Sequence, residues 1–154
     1  MRKQLQCRGL DVVRARDSRL LGRVRDVALT PDRLRVSHIC VVPNGLLSGV
    51  SHMAFEDIVA FERTRVVVNG KRGRFEHPAW LHAPMLDAQS RELGQLHDFW
   101  FDEDTGDIPA LQMSCGLLAD LQRGRPVIQN FTWIQMDGVW VVWVMNSPVK
   151  MTTG

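Results

Sequence analysis

Apolar and polar residues alternate along most of the chain with a period of two, the signature of half-buried strands. The pattern predicts strands over residues 11–16, 23–29 and 34–42, the third rich in β-branched side chains. Asp17-Ser18-Arg19 and Thr30-Pro31-Asp32-Arg33 separate them as turns. Asp and Ser side chains bond their own backbone there, and Pro suits the second turn position. Shorter strands follow over 50–55, 58–61 and 65–68, with a turn or linker over 69–73. The second half repeats the plan, with strands over 85–88, 96–101, 108–115, 127–129, 132–136 and 139–144. Asp137-Gly138 is a strong hairpin signal between the last two. Residues 119–124 hold a short helical turn, and no stretch sustains a period of 3.6, so helix is minor.

The two halves also match residue for residue. Ser18-Arg19-Leu20-Leu21-Gly22-Arg23-Val24-Arg25-Asp26-Val27 recurs 72 positions later as Ser90-Arg91-Glu92-Leu93-Gly94-Gln95-Leu96-His97-Asp98-Phe99, with five of ten positions identical. This points to two copies of one small unit, over 1–72 and 73–146, followed by a flexible tail over 147–154. The expected fold is all-β, two tandem small barrels, because closure removes the edge strands of so small a sheet. Four residues carry structural roles. Gly22 and Gly94 allow a bulge or a close backbone approach that a Cβ would forbid. Asp26 and Asp98, set among apolar neighbours, cap backbone N–H groups at a bend, so Asp→Ala costs stability in either copy.

Leu21-Gly22-x-Val24-x-Asp26 and Leu93-Gly94-x-Leu96-x-Asp98 resemble the PRC-barrel domain. Phe101-Asp102 with Thr105-Gly106-Asp107-Ile108 looks like that family's following hairpin, and Ala54-Phe55-Glu56-Asp57-Ile58 like a later strand-leading segment. The resemblance covers nearly the whole chain as two copies. It implies a small β-barrel used as an interaction module. The family occurs in the cytoplasmic part of the photosynthetic reaction-centre H subunit and in the C-terminal half of a ribosome maturation factor. This chain shows neither the membrane helix of the first nor the separate N-terminal barrel of the second, so neither function carries over. The resemblance brings no catalytic residue.

Charge sharpens the contrast between the copies. The net charge is +2, yet residues 1–76 hold 15 Lys and Arg against 8 acids, a net +7, while residues 77–154 hold 4 against 9, a net −5. Opposite signs let the halves attract each other or meet different partners. A composition 45% hydrophobic and 23% charged excludes a disordered chain. Cys7, Cys40 and Cys115 lack C-x-x-C spacing and form neither a disulfide framework nor a zinc knuckle. Cys40 and Cys115 read as small core residues, and reduced thiols suggest a cytoplasmic protein. No signal peptide and no membrane-spanning run is visible.

Among chemical candidates, the arginines are the most distinctive. Arg14/Arg16, Arg23/Arg25, Arg33/Arg35, Arg63/Arg65 and Arg72/Arg74 are all i, i+2 pairs, which in a strand share one face. Arg14, Arg16, Arg23, Arg25, Arg63 and Arg65 are the binding candidates, because guanidinium forks suit phosphates and carboxylates. Few aromatics interleave with them, which weakens a nucleic-acid reading. Trp140 shares a face with Val142 and Val141 shares the other with Trp143, so that strand is apolar on both sides. Trp140 and Trp143 are the interface candidates. The 102–107 loop reads as a hairpin rather than an EF-hand, since Gly106 falls off the calcium pattern. His77, His82 and His97 have no Cys or carboxylate at ligand spacing, and His38 and His52 read as edge or surface residues. Ser114-Cys115-Gly116 lacks a nucleophile elbow and reads as a strand end with a buried thiol. The expectation is therefore a non-enzymatic adaptor without cofactor or metal. It holds a protein partner and associates as a homo-oligomer. The alternative is an RNA- or ribosome-associated factor using the paired arginines.

Overall fold

Alternating segments become strands in a computed structural model, which describes residues 1–44, 49–76, 79–145 and the backbone of 149–152. The chain divides into two compact units, Met1–Pro78 with Phe101–Asp107, and Ala79–Trp100 with Ile108–Gly154. The fold is all-β, with one short helix and two 3-10 turns among the described residues.

In chain order a two-residue β1 (Arg2–Lys3) comes first and is not a strand of the first sheet, which contains β2 (Asp11–Arg14), β3 (Leu20–Leu29), β4 (Val36–Val42), β5 (Ser51–Ala54), β6 (Ile58–Phe61) and β7 (Arg65–Val68). Its order is β5-β4-β3-β2-β7-β6. The second contains β8 (Pro84–Leu86), β9 (Glu92–Phe101), β10 (Ala110–Ser114), β11 (Arg125–Ile128), β12 (Phe131–Met136) and β13 (Val139–Val144). Helix α1 (Leu117–Arg123) lies between β10 and β11, and β14 (Val149–Thr152) pairs with β11. The second order is β12-β13-β8-β9-β10-β11-β14. Apart from β14, the two orders correspond strand for strand. Each path has a parallel pairing at the same place, β2 with β7 and β8 with β13. The 72-residue repeat is thus a repeat of topology.

Closure into barrels is not seen. Among the described residues the first path ends at β5 and β6 and the second at β12 and β14. β5 and β6 are consecutive, but the 3-10 turn Phe55–Asp57 joins them in place of a hairpin. It carries the chain from one end of the sheet to the other without a ladder.

Each long strand is bulged at the same point. In the first unit Val24 pairs with Val41 and Asp26 with Cys40, leaving Arg25 extra. In the second Leu96 pairs with Met113 and Asp98 with Gln112, leaving His97 extra. A bulge of this kind adds twist and curls the sheet over its core. In the first unit the core includes Val12, Val27, Leu29, Ile39, Val41, Met53, Val66 and Val68; in the second it includes Met85, Leu96, Phe99, Leu111, Met113 and Val142. β4 is buried on both faces for most of its length, which places polar His38 and Cys40 inside alongside Ile39 and Val41.

Candidate functional site

The repeat positions are scaffold. Gly22 and Gly94 sit where an added Cβ would lie 2.3 Å from Val42 O and 2.4 Å from Ser114 O. Asp26 Oδ1 accepts from Val27 N–H at 3.1 Å and from buried Gln4 Nε2 at 2.9 Å. Asp98, fully buried, accepts from Phe99 N–H at 2.8 Å. Both acids therefore serve the strand bulge beside them.

The candidate arginine pairs do not all share a strand face. Of the three candidate pairs only Arg23 and Arg25 both lie in a strand, β3. Arg16 falls in the turn after β2, and Arg63 in the bend before β7. Several are already paired locally. Arg14 grips Asp17 through two bonds of 3.0 and 2.7 Å, Arg23 lies 3.4 Å from Asp11, and Arg65 bonds Glu62. These carboxylates cancel charge that an anionic partner would need.

The Arg14 fork makes a measurable prediction. Hydrogen bonding to Arg14, helped by the Arg19 N–H, holds the Asp17 carboxyl down to about 2. A depressed folded pKa stabilises above the unfolded value of ~3.9 and is lost as pH falls toward 2. NMR titration should place Asp17 near that low value, and Arg14→Ala should return it toward the ordinary range. An Asp17 that titrates normally in the wild type would refute the fork.

Trp140 and Trp143 divide as the alternation requires. Trp140 meets buried Trp133 edge-on at 6.5 Å. Trp143 lies on the opposite face, 38% exposed. With Leu86, Asp87, Ser90, Ile134 and Met136 it lines an apolar cleft of about 190 Å³.

A more exposed apolar feature is α1. None of its residues is buried, and Leu117, Leu118 and Leu121 are 77%, 69% and 76% exposed. Their i, i+3 and i+4 spacing puts them on one side of the helix. Seven residues are too few for a self-sustaining helix, and Asp120 pins this one. Its carboxylate accepts from Ser114 Oγ at 2.6 Å, Cys115 N–H at 2.9 Å and Arg125 Nε at 3.1 Å. Burial raises the Asp120 pKa, and these donors outweigh that and leave it lowered. Leu46 and Leu47, at the corresponding positions of the first copy, lie outside the described residues. No family model matches this chain. No curated protein matches it either.

Cys115 and His38 depart from their expected environments. Cys115 is exposed, not buried, because β10 ends at Ser114 and the chain turns outward into α1. Cys40 is buried as expected of a core thiol, while His38 is fully buried, not an edge residue. His38 stacks on His52 at 4.9 Å and on Phe75 at 4.7 Å, and its Nδ1 lies 3.0 Å from Ser37 Oγ. Burial, and then the charge of Asp26, push the Cys40 thiol up to about 11. One ligand atom from each of His38, Cys40 and His52 falls within 4.8 Å of the others. Among the described residues neither His82 nor His97 belongs to such a group of three, and His77 lies outside them. The signal missed in the sequence was His-x-Cys on one strand, followed by a His where the next strand begins. Finally, no helix among the described residues is long and apolar enough to cross a membrane.

Proposed function

We propose that this chain is a non-enzymatic interaction module of the PRC-barrel type that docks a protein partner through α1. The observation that carries the reading is the leucine face of that helix. Three leucines stand in water on an element with no buried residue of its own. Burying each in a partner's apolar groove is worth about 1.5–3 kcal/mol. The polar staple at Asp120 holds the helix out in shape, so docking costs little ordering. An RNA partner is less favoured, since Arg14, Arg23 and Arg65 are committed to neighbouring acids.

Leu121→Glu is the test, because it charges the exposed face and removes nothing from either core. Wild type and variant are used as bait in native extract, and sedimentation over a concentration series reads self-association. The expected result is a specific partner, or a second copy, that binds the wild type and is lost with Leu121→Glu while far-UV circular dichroism is unchanged. Identical partners and assembly for both proteins would remove α1 from the proposal. Salt-sensitive RNA binding that is unaffected by Leu121→Glu would replace the reading with the RNA alternative.

A further inference from the structure

We propose that His38, Cys40 and His52 form a binding site for a single thiophilic transition metal of the zinc class. The site follows from strand register. His38 and Cys40 are two apart on β4, so they project to one face. Cys40 pairs directly with His52 of the antiparallel β5, which brings the second imidazole to the same face. The three ligand atoms lie within 4.8 Å of one another. A tetrahedron with metal–nitrogen bonds of ~2.0–2.1 Å and a metal–sulfur bond of ~2.3 Å has edges of roughly 3.3–3.6 Å. Metal binding would therefore draw the ligand atoms together by at most roughly 1.5 Å.

Two imidazoles and a thiolate suit zinc and its soft neighbours far better than calcium or magnesium, which want oxygen. Binding forms a metal–sulfur bond as the Cys40 thiol gives its proton to solvent. Ser37 beside His38 Nδ1 is the kind of outer contact that orients a ligating imidazole. Three protein ligands leave a fourth position for water or an anion. His52 also lines a cleft of about 490 Å³ with Ser51, Arg72, Gly73, Arg74 and Phe75, which supplies a route from solvent.

The second copy shows that the fold does not need this chemistry. Gln112 pairs with Asp98 as Cys40 pairs with Asp26, and Ala110 takes the position of His38. Val127 pairs with Gln112 as His52 pairs with Cys40. Ala, Gln and Val hold these positions in an equivalent sheet. The His-Cys-His set is therefore an addition of the first copy to a shared scaffold.

Cobalt(II) titration of the full, reduced and chelator-treated chain tests the site. The expected result is one equivalent bound, with a thiolate-to-cobalt charge-transfer band and the intense visible bands of tetrahedral cobalt, both bleached by added zinc. Cys40→Ser should abolish the charge-transfer band, and Cys115→Ser should leave it intact. His52→Gln, at a half-buried position, should weaken cobalt binding by more than about 100-fold, beyond the loss of an outer hydrogen bond. If Cys40→Ser does not fold, His52→Gln decides. The proposal is overturned by a wild type that shows no saturable cobalt spectrum, by a band that survives Cys40→Ser or disappears with Cys115→Ser, or by unchanged affinity in His52→Gln.

Discussion

Gly22→Ala is expected to destabilise the first unit by about 3 kcal/mol or more. Two effects act together. The residue holds φ +153°, where a side chain is strained, and its new methyl would sit 2.3 Å from Val42 O and 2.9 Å from Pro43 Cα. Both obstacles are backbone, so neither can rotate away. Relief requires β3 to lift from the end of β4, next to the bulge at Arg25. Gly94→Ala meets Ser114 O at 2.4 Å in the equivalent place, but part of its crowding comes from the flexible Met113 side chain. Its φ is not in the strained region, so about 1–3 kcal/mol is expected. Far-UV circular dichroism in urea reads both variants. Tryptophan emission reads only the second unit, because Trp80, Trp100, Trp133, Trp140 and Trp143 all belong to it. A Gly22→Ala protein with wild-type urea midpoints would show that the close approach is not real.

Phe99→Ala should cost about 3–5 kcal/mol, the range for deleting a fully buried aromatic. Phe99 is wholly buried, pairs with Leu111 across the β9–β10 ladder and meets Trp80 edge-on at 4.9 Å. Its loss opens a cavity in the centre of a unit too small to have much stability to spare. The expected outcome is a second unit largely unfolded at physiological temperature, with red-shifted tryptophan emission and a flattened near-UV spectrum. A cost under about 1 kcal/mol would mean that the core is not packed as described. The repeat partner of Phe99 is Val27, also wholly buried. The same truncation there removes fewer atoms and should cost less, so the two copies are expected to differ at a shared core position.

The repeat was the most legible part of the chain. Ser18 and Ser90 adopt the same left-handed turn at φ 55° and 62°, and Asp26 and Asp98 bond the N–H of the next residue at matching bulges. Such features are local, encoded within a few residues, so a matching stretch of sequence carries them. The arginine pairs show the limit of the same logic. Spacing of two means a shared face only where the backbone is extended through both residues, and turns interrupt it at Arg16 and Arg63. Cys115 shows another limit, since an apolar run predicts burial only until the strand ends.

The sequence alone determined most of the strands, their two-fold repetition and the glycine and aspartate positions that bend them, because alternation, turn chemistry and steric demand act between near neighbours; β1 and β14 were not among them. Tertiary structure decided what meets across distance. Within the first unit, which includes Phe101–Asp107, Arg2 Nε donates to Glu103 Oε1 at 2.8 Å and Val36 N–H to Gly106 O at 2.9 Å. His52 faces Cys40 only through the register of β4 on β5. That register is set by cooperative packing of the whole sheet, which no local pattern records.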